Sequence, residues 1–118
     1  MKNDIARQVF CSEQKGWVSA AIGTVNANVV SARVMDNVEA KFHTHSDNDE
    51  FFLVLKGELE IDIEDATFTL QQGESLVVAS GKNHRARARQ RAEVITVISS
   101  GAPDVQVIDS CETRRNNL

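Results

Sequence analysis

Along most of the chain, apolar and polar residues alternate over short stretches that close at Gly, Asn or Asp, the period-two signature of β-strands. The pattern predicts strands at 17–22, 29–35, 38–43, 51–56, 58–63, 66–70, 75–79, 84–89, 92–98 and 104–108. No stretch of ten residues keeps an apolar stripe at helical spacing, and residues 4–14 are the best helical segment. Many short strands with close turns predict an all-β fold, a sandwich or barrel of the jelly-roll kind.

Two segments write the alternation most strongly. In 58–64, Leu59, Ile61 and Ile63 share one face, while Glu58, Glu60, Asp62 and Glu64 share the other. In 84–91, His84, Ala86 and Ala88 share one face and Arg85, Arg87, Arg89 and Arg91 the opposite one. The arginine run contains no aromatic side chain on which a base could stack. It therefore reads as one half of a cross-strand charge ladder with the acidic segment, in preference to a nucleic-acid patch. Each exposed pair in such a ladder is worth roughly 0–1 kcal/mol.

Composition narrows the function classes. A chain of 118 residues points to one domain, 1–118, large enough to bury a core without staples. The formal net charge of −4 argues against wholesale binding to nucleic acid or anionic membranes. The longest apolar run, 51–55, is far short of the ~20 residues of a membrane span. Charges at Lys2, Asp4, Arg7, Glu13 and Lys15 do not fit a secretory leader, so a cytoplasmic location is expected. Cys11 and Cys111 lie near opposite ends and read as free thiols.

The chemistry lies in three histidines. His43 and His45 are one residue apart, so on a strand both imidazoles leave the same face and can share one ion. Glu50 follows a polar turn, Ser46 to Asp49, and opens a strand expected to run back beside the first. His84 stands on the interior face of its own segment. A histidine in a strand is more often a hydrogen-bonded core or surface residue than a ligand. Three imidazoles and one carboxylate, however, suit a divalent transition ion and leave coordination positions open.

These residues resemble the motifs of the cupin superfamily, in particular its small single-domain microbial members of the RmlC-like kind. The first cupin motif has its landmarks at Asn37, His43, His45, Glu50 and Gly57, and the second at Gly73, Ala79, Gly81, His84 and Ala88. Asn37 replaces a glycine, Ala79 a proline and Ala88 an asparagine. The other seven landmarks fit, every metal ligand among them, and the motif core covers 37–88. Asn tolerates the left-handed conformation that the glycine slot requires. The resemblance implies a double-stranded β-helix, the cupin jelly-roll barrel, with the strand from Glu58 beside the strand holding His84.

The resemblance further implies one divalent metal ion (Mn, Fe, Co, Ni, Cu or Zn) on His43, His45, Glu50 and His84. Glu50 is also the candidate proton acceptor. Pocket walls are expected from Phe52, or Phe42 in its place, with Val54, Ile61, Ala86, Ala88 and Met35. The expected activity is that of a metal-dependent enzyme, of dioxygenase or isomerase type, on a small oxygen-rich molecule; the alternatives are a non-catalytic small-molecule sensor and a structural cupin. A homodimer is the default, with residues 1–20 as a dimer-forming segment. Arg33 reads either as a surface residue or as a buried anion anchor, and Trp17 as wall or interface.

Overall fold

The computed structural model describes residues 1–99; the strand expected at 104–108, Cys111 and the last residues lie outside that range. One helix, α1 (Ile5–Cys11), is followed by β1 (Gly16–Val25), β2 (Asn28–Asp36), β3 (Val38–Glu39), β4 (Glu50–Lys56), β5 (Glu58–Ile63), β6 (Ala66–Gln71), β7 (Ser75–Val78), β8 (His84–Ala88) and β9 (Ala92–Ser99). The strands form two antiparallel sheets, ordered β1-β2-β9-β4-β7 and β3-β8-β5-β6. This is the jelly roll that the alternation predicts.

Period two decides what lies between the sheets. Phe52 and Val54 of β4, Leu59 and Ile61 of β5, Ala86 and Ala88 of β8, and Ala92 and Val94 of β9 all point inward and form one buried cluster with Met35 and Val38. Strand β2 is buried on both faces. Met35 joins this inner cluster, whereas Ala32 and Val34 pack on the outer side against Val9 of α1. The helix is shorter than the expected 4–14 because Ser12 turns extended. Its last carbonyls are held instead by Arg91, whose guanidinium donates to Phe10 O at 2.8 Å and Ser12 O at 2.9 Å. A cation at that end also suits the helix dipole. Residues 1–20 thus pack partly against their own chain.

The acidic and arginine segments are neighbours, as their patterns require. Strand β5 pairs with β8 in the register Glu60↔Arg87, Ile61↔Ala86, Asp62↔Arg85 and Ile63↔His84. Arg87 donates to Glu60 at 2.6 Å and to both Asp62 oxygens at 2.7 and 3.0 Å, and Arg85 donates to Asp62 at 2.8 Å. The ladder covers Arg85 and Arg87 only. Arg91 serves the helix end, and Arg89 joins no ion pair among the described residues.

Two features differ from the sequence expectation, and both position the site. The strand expected at 38–43 is regular only over Val38–Glu39. The pairing steps from Glu39↔Arg87 to His43↔His84, four residues on one side against three on the other. That extra residue is a β-bulge, and it reverses the facing of everything after it. Strict alternation from Val38 and Ala40 would send Phe42 inward and His43 outward. Instead Phe42 lies outside, 42% exposed, under the Arg85 guanidinium at 4.6 Å, and His43 turns in. Phe42 is therefore not a pocket wall; Phe52, 2% exposed, is the interior phenylalanine. The second difference concerns β4. It does not run beside the His43 segment but lies in the opposite sheet, between β9 and β7, because β3 pairs with β8 instead.

Two turns carry the crossings. Asn37 adopts φ 58°, the left-handed conformation expected of the residue in that glycine slot. Gly57, at φ 83°, joins β4 to β5, and a Cβ there would run into the Arg91 carbonyl. Only glycine fits that crossing from one sheet to the other.

Candidate metal centre

His43, His45 and His84 approach from one sheet and its loop, and Glu50 approaches from the other. One ligand atom from each lies within 4.8 Å of all the rest. The ring centroids of His43 and His84 are 4.3 Å apart, those of His43 and His45 5.0 Å, and those of His45 and His84 5.5 Å. His45, Glu50 and His84 are buried, and His43 is the most accessible of the set.

Backbone bonds hold the cluster together. His43 and His84 exchange both main-chain hydrogen bonds at 2.9 Å. The His45 carbonyl accepts from Gly81 N at 2.8 Å, and Asp49 accepts from Ser80 N at 2.9 Å, so the loop between the second histidine and Glu50 is tied to the loop before His84. Glu50 is fixed by the ladders Glu50↔Val78 and Glu50↔Ile98.

The rings are also oriented. Nδ1 of His43 donates to the Lys41 carbonyl at 3.0 Å, and Nδ1 of His84 donates to the Lys82 carbonyl at 2.9 Å. A carbonyl only accepts, so each Nδ1 carries the proton and Nε2 is the nitrogen left for the cluster. Such an outer bond is the usual companion of a metal-bound imidazole. These two carbonyls escape sequence reasoning, because main-chain acceptors leave no mark in side-chain identity.

Nε2 of His84 stands 3.1 Å from Oε1 of Glu50, and Nε2 of His45 stands 3.5 Å from the same oxygen. In the neutral His84 ring with Nδ1 protonated, this brings a lone pair against a carboxylate oxygen. Two acceptors stay that close only if a proton on the ring nitrogen or a shared metal ion answers both. Ligands bound at about 2.0–2.2 Å to one ion lie roughly 3 Å from their neighbours, close to the 3.1 and 3.5 Å that separate Glu50 from His84 and His45. The donor set therefore fits a divalent metal ion, and the four residues could hold one.

Electrostatics agree with that fit. Burial pushes the Glu50 carboxyl up, but hydrogen bonds with His45 and His84 and the charge of Arg33 outweigh it, holding Glu50 well below the usual carboxylate range. Burial lowers His43 below the ordinary imidazole value, against the raising effect of its bond to Lys41, which favours the neutral, ligating form.

A family model describing the cupin domain matches residues 32–112. The chain belongs to the cupin family. This cupin is similar to the protein YdbB of Bacillus subtilis, 40% identical over 72 residues, a match that spans 60% of this chain and 63% of that protein, less than two thirds of its length. Among solved structures, it resembles a cupin-2 domain containing protein from Shewanella frigidimarina, with a TM-score of 0.70 and 27% identity over 77% of this chain and 88% of that one. Ectoine synthase from P. lautus shares the fold, with a TM-score of 0.68 and 16% identity over 85% and 78% of the two chains.

The other expected site residues are members of the barrel core. Phe52, Val54, Ile61, Ala86, Ala88 and Met35 are each no more than 4% exposed and belong to one apolar cluster. Ala86 and Ala88 are its small members on the strand of His84. A surface groove of about 400 Å³ lined by Gly57, Glu58, Gln71, Gln72, Gln90 and Arg91 lies at the far end of the barrel and contains none of the four donors. Arg33, left open by the sequence, points inward. It pairs in register with Val94, follows the same face of β2 as Met35, and sits over the Trp17 ring at 4.9 Å. Trp17 packs against the inner cluster. No helix among the described residues is long and apolar enough to cross a membrane.

Proposed function

We propose that this cupin holds one divalent transition metal ion through His43, His45, Glu50 and His84, and that it is a metal-dependent enzyme of dioxygenase or isomerase type acting on a small oxygen-rich molecule in the cytoplasm. The observation that carries the reading is the approach of His84 Nε2 to Glu50 Oε1 at 3.1 Å with Nδ1 already committed to Lys82. When bound, such an ion supplies Lewis acidity and open positions for a hydroxyl, carbonyl or carboxylate. The chain supplies the rest. Phe52, Val54, Ile61, Ala86, Ala88 and Met35 form the dry floor and walls, and the two alanines leave room beside His84. Glu50 is the acid nearest any bound molecule, and with every histidine of the chain in the cluster no spare imidazole remains for proton transfer.

That last point favours a second reading. A carboxyl held well below its usual range is a weak base, which suits a ligand better than a proton acceptor. On this reading the metal fixes a small molecule that the protein senses or stores. A homodimer belongs to either reading, supported by the outer face of β4, β9 and β7, where Phe51, Val97 and Val77 adjoin and Val77 is 55% exposed. Sedimentation showing only monomer at high concentration removes the dimer.

Elemental analysis of the full chain purified without added metal tests the site, with one equivalent of a transition metal expected. Its complete absence, together with failure to take up added Mn, Fe, Ni or Zn, overturns the proposal. Incubating the loaded chain with small keto, hydroxy and sugar acids, with mass detection, then separates the readings. Oxygen incorporation or an isobaric shift marks the enzyme, and tight binding without change marks the sensor.

A further inference from the structure

Strand β9 lies in the middle of the larger sheet, between β2 and β4, and period two turns Ala92, Val94, Thr96 and Ile98 inward. Ala92 and Val94 belong to the apolar core. Thr96 is only 2% exposed, yet its hydroxyl makes no hydrogen bond among the described residues. Thr67 shows what a structural threonine looks like here, since its hydroxyl donates to Asp62 at 2.6 Å. Valine has the same shape as threonine and serves two residues earlier on the same wall. A hydroxyl kept on that wall must find its partner in water or in a bound molecule.

The register sets this hydroxyl beside the four-donor cluster. Thr96 pairs with Phe52 on β4 and Ile98 pairs with Glu50, so Thr96 and Glu50 are diagonal neighbours on one inward face. Such neighbours lie roughly 7–8 Å apart. On its other side Thr96 pairs with Ser31 of β2, a half-buried residue on the same face of that strand as Met35. The Ser31 hydroxyl likewise has no partner among the described residues. Directly opposed side chains of antiparallel strands stand about 4.5–5.5 Å apart, so the two hydroxyls make one polar spot beside Phe52.

The chemistry of that spot is selective. A hydroxyl both donates and accepts, so a pair of them can satisfy a third in both roles. A carbonyl uses only the donors, and a methyl uses neither. We propose that Thr96, with Ser31 beside it, is the specificity-determining residue of the barrel, and that the two hydroxyls bind an alcohol group on the molecule whose other oxygen function the metal holds. The substrate class narrows accordingly from small oxygen-rich molecules to short hydroxy acids and similar compounds, with an alcohol a few carbons from the metal-binding oxygen. This rests on the metal reading above.

The test is calorimetric titration of the full chain loaded with one equivalent of Ni²⁺. The probes are 3-hydroxypropionate and 4-hydroxybutyrate, each set against the acid of the same shape that carries a methyl in place of the hydroxyl, butyrate and valerate respectively. At least one hydroxy acid is expected to bind about three- to tenfold more tightly than its methyl partner. Thr96→Val should abolish that preference while leaving the binding of butyrate and valerate little changed and the nickel content at one equivalent. Thr96→Ser, which keeps the hydroxyl, should retain the preference, and Ser31→Ala should weaken it. Urea unfolding of the metal-free chain separates this role from a structural one. The midpoint of Thr96→Val should be no lower than that of the parent, because the hydroxyl it removes makes no bond within the fold. A lower midpoint marks a hydroxyl that the fold uses and overturns the proposal. A loaded parent that binds hydroxy acids no better than their methyl partners also overturns it and leaves the metal site standing. The same holds if a folded, nickel-loaded Thr96→Val or Ser31→Ala chain keeps the full preference. A parent that takes up no nickel overturns this proposal and the metal reading together.

Discussion

Strand β8 has two chemistries on its two faces. Inward, His84 meets Glu50; outward, Arg85 and Arg87 meet Asp62. Each face has a buried carboxylate held well below its usual range, yet for different reasons. Hydrogen bonds from Arg87 lower Asp62 against a smaller opposing effect of burial, helped by Thr67 and Arg85. Its two oxygens accept four hydrogen bonds, from Arg85, Arg87 twice, and Thr67. Nothing is left to satisfy. For Glu50, burial is the largest effect and opposes ionisation, and what overcomes it is a set of rings whose fixed nitrogens face the carboxylate. A saturated carboxylate is a structural device, whereas a carboxylate shared by imidazoles within a four-donor cluster suits the holding of a cation.

If that contrast is right, changes on the two faces should separate cleanly into function and stability. The largest expected effect is His84→Ala. It removes one of four donors, so affinity for the metal should fall at least hundredfold, beyond the roughly 10–100-fold that altering an outer-shell partner costs. Competition with a chelating dye measures it. The thermal stabilisation that added metal confers on the parent should vanish in the variant. Equal metal affinity in parent and variant would break the comparison at its root.

Next in size is Asp62→Asn, which should leave metal affinity within about twofold and act on stability instead. It strips the charge from four hydrogen bonds and leaves Arg85 and Arg87 under-compensated, at a cost of about 2 kcal/mol at pH 7 by urea unfolding. The pH dependence follows from the direction of the shift. The folded carboxyl lies below the unfolded value of about 3.9, so its stabilisation is fully present above that value and is lost as pH falls through and below it. The gap between parent and variant should therefore narrow from pH 7 to pH 3. A gap that stays constant would mean that packing, not charge, dominates at Asp62.

The same two faces show what was legible in the sequence. The alternation in 58–64 and 84–88 identified both the dry and the charged side of each strand, and the charges alone implied that the two strands are neighbours. The four donors were legible because their spacing matches motifs built around one ion. Two things were not. The bulge after Glu39 has no residue signature, and it alone turns His43 in and Phe42 out. That β4 joins the opposite sheet follows from long-range pairing with β9 and β7, which adjacency in sequence does not reveal. Arg33 was ambiguous because a charged residue in an apolar strand is usually solvated. Only its register with Val94 and its stack on Trp17 settle the direction.

The smallest expected effect sharpens the outer half of the comparison. Arg87 contacts Glu60 at 2.6 Å, the shortest distance in the ladder, so distance alone would make Glu60 the keystone. Yet Glu60 and Arg87 keep 20% and 23% of their side chains in solvent, and Arg87 retains two bonds to Asp62 when Glu60 is neutralised. Glu60→Gln should therefore cost no more than about 1 kcal/mol, and less at high salt, because a screened, partly solvated pair contributes little once its partner is otherwise satisfied. Urea unfolding of both single variants and the double variant measures the coupling. If Glu60→Gln costs as much as Asp62→Asn, the outer network is shared evenly along β5. If it costs far less, the outer face is organised around one saturated carboxylate, as the inner face is around Glu50.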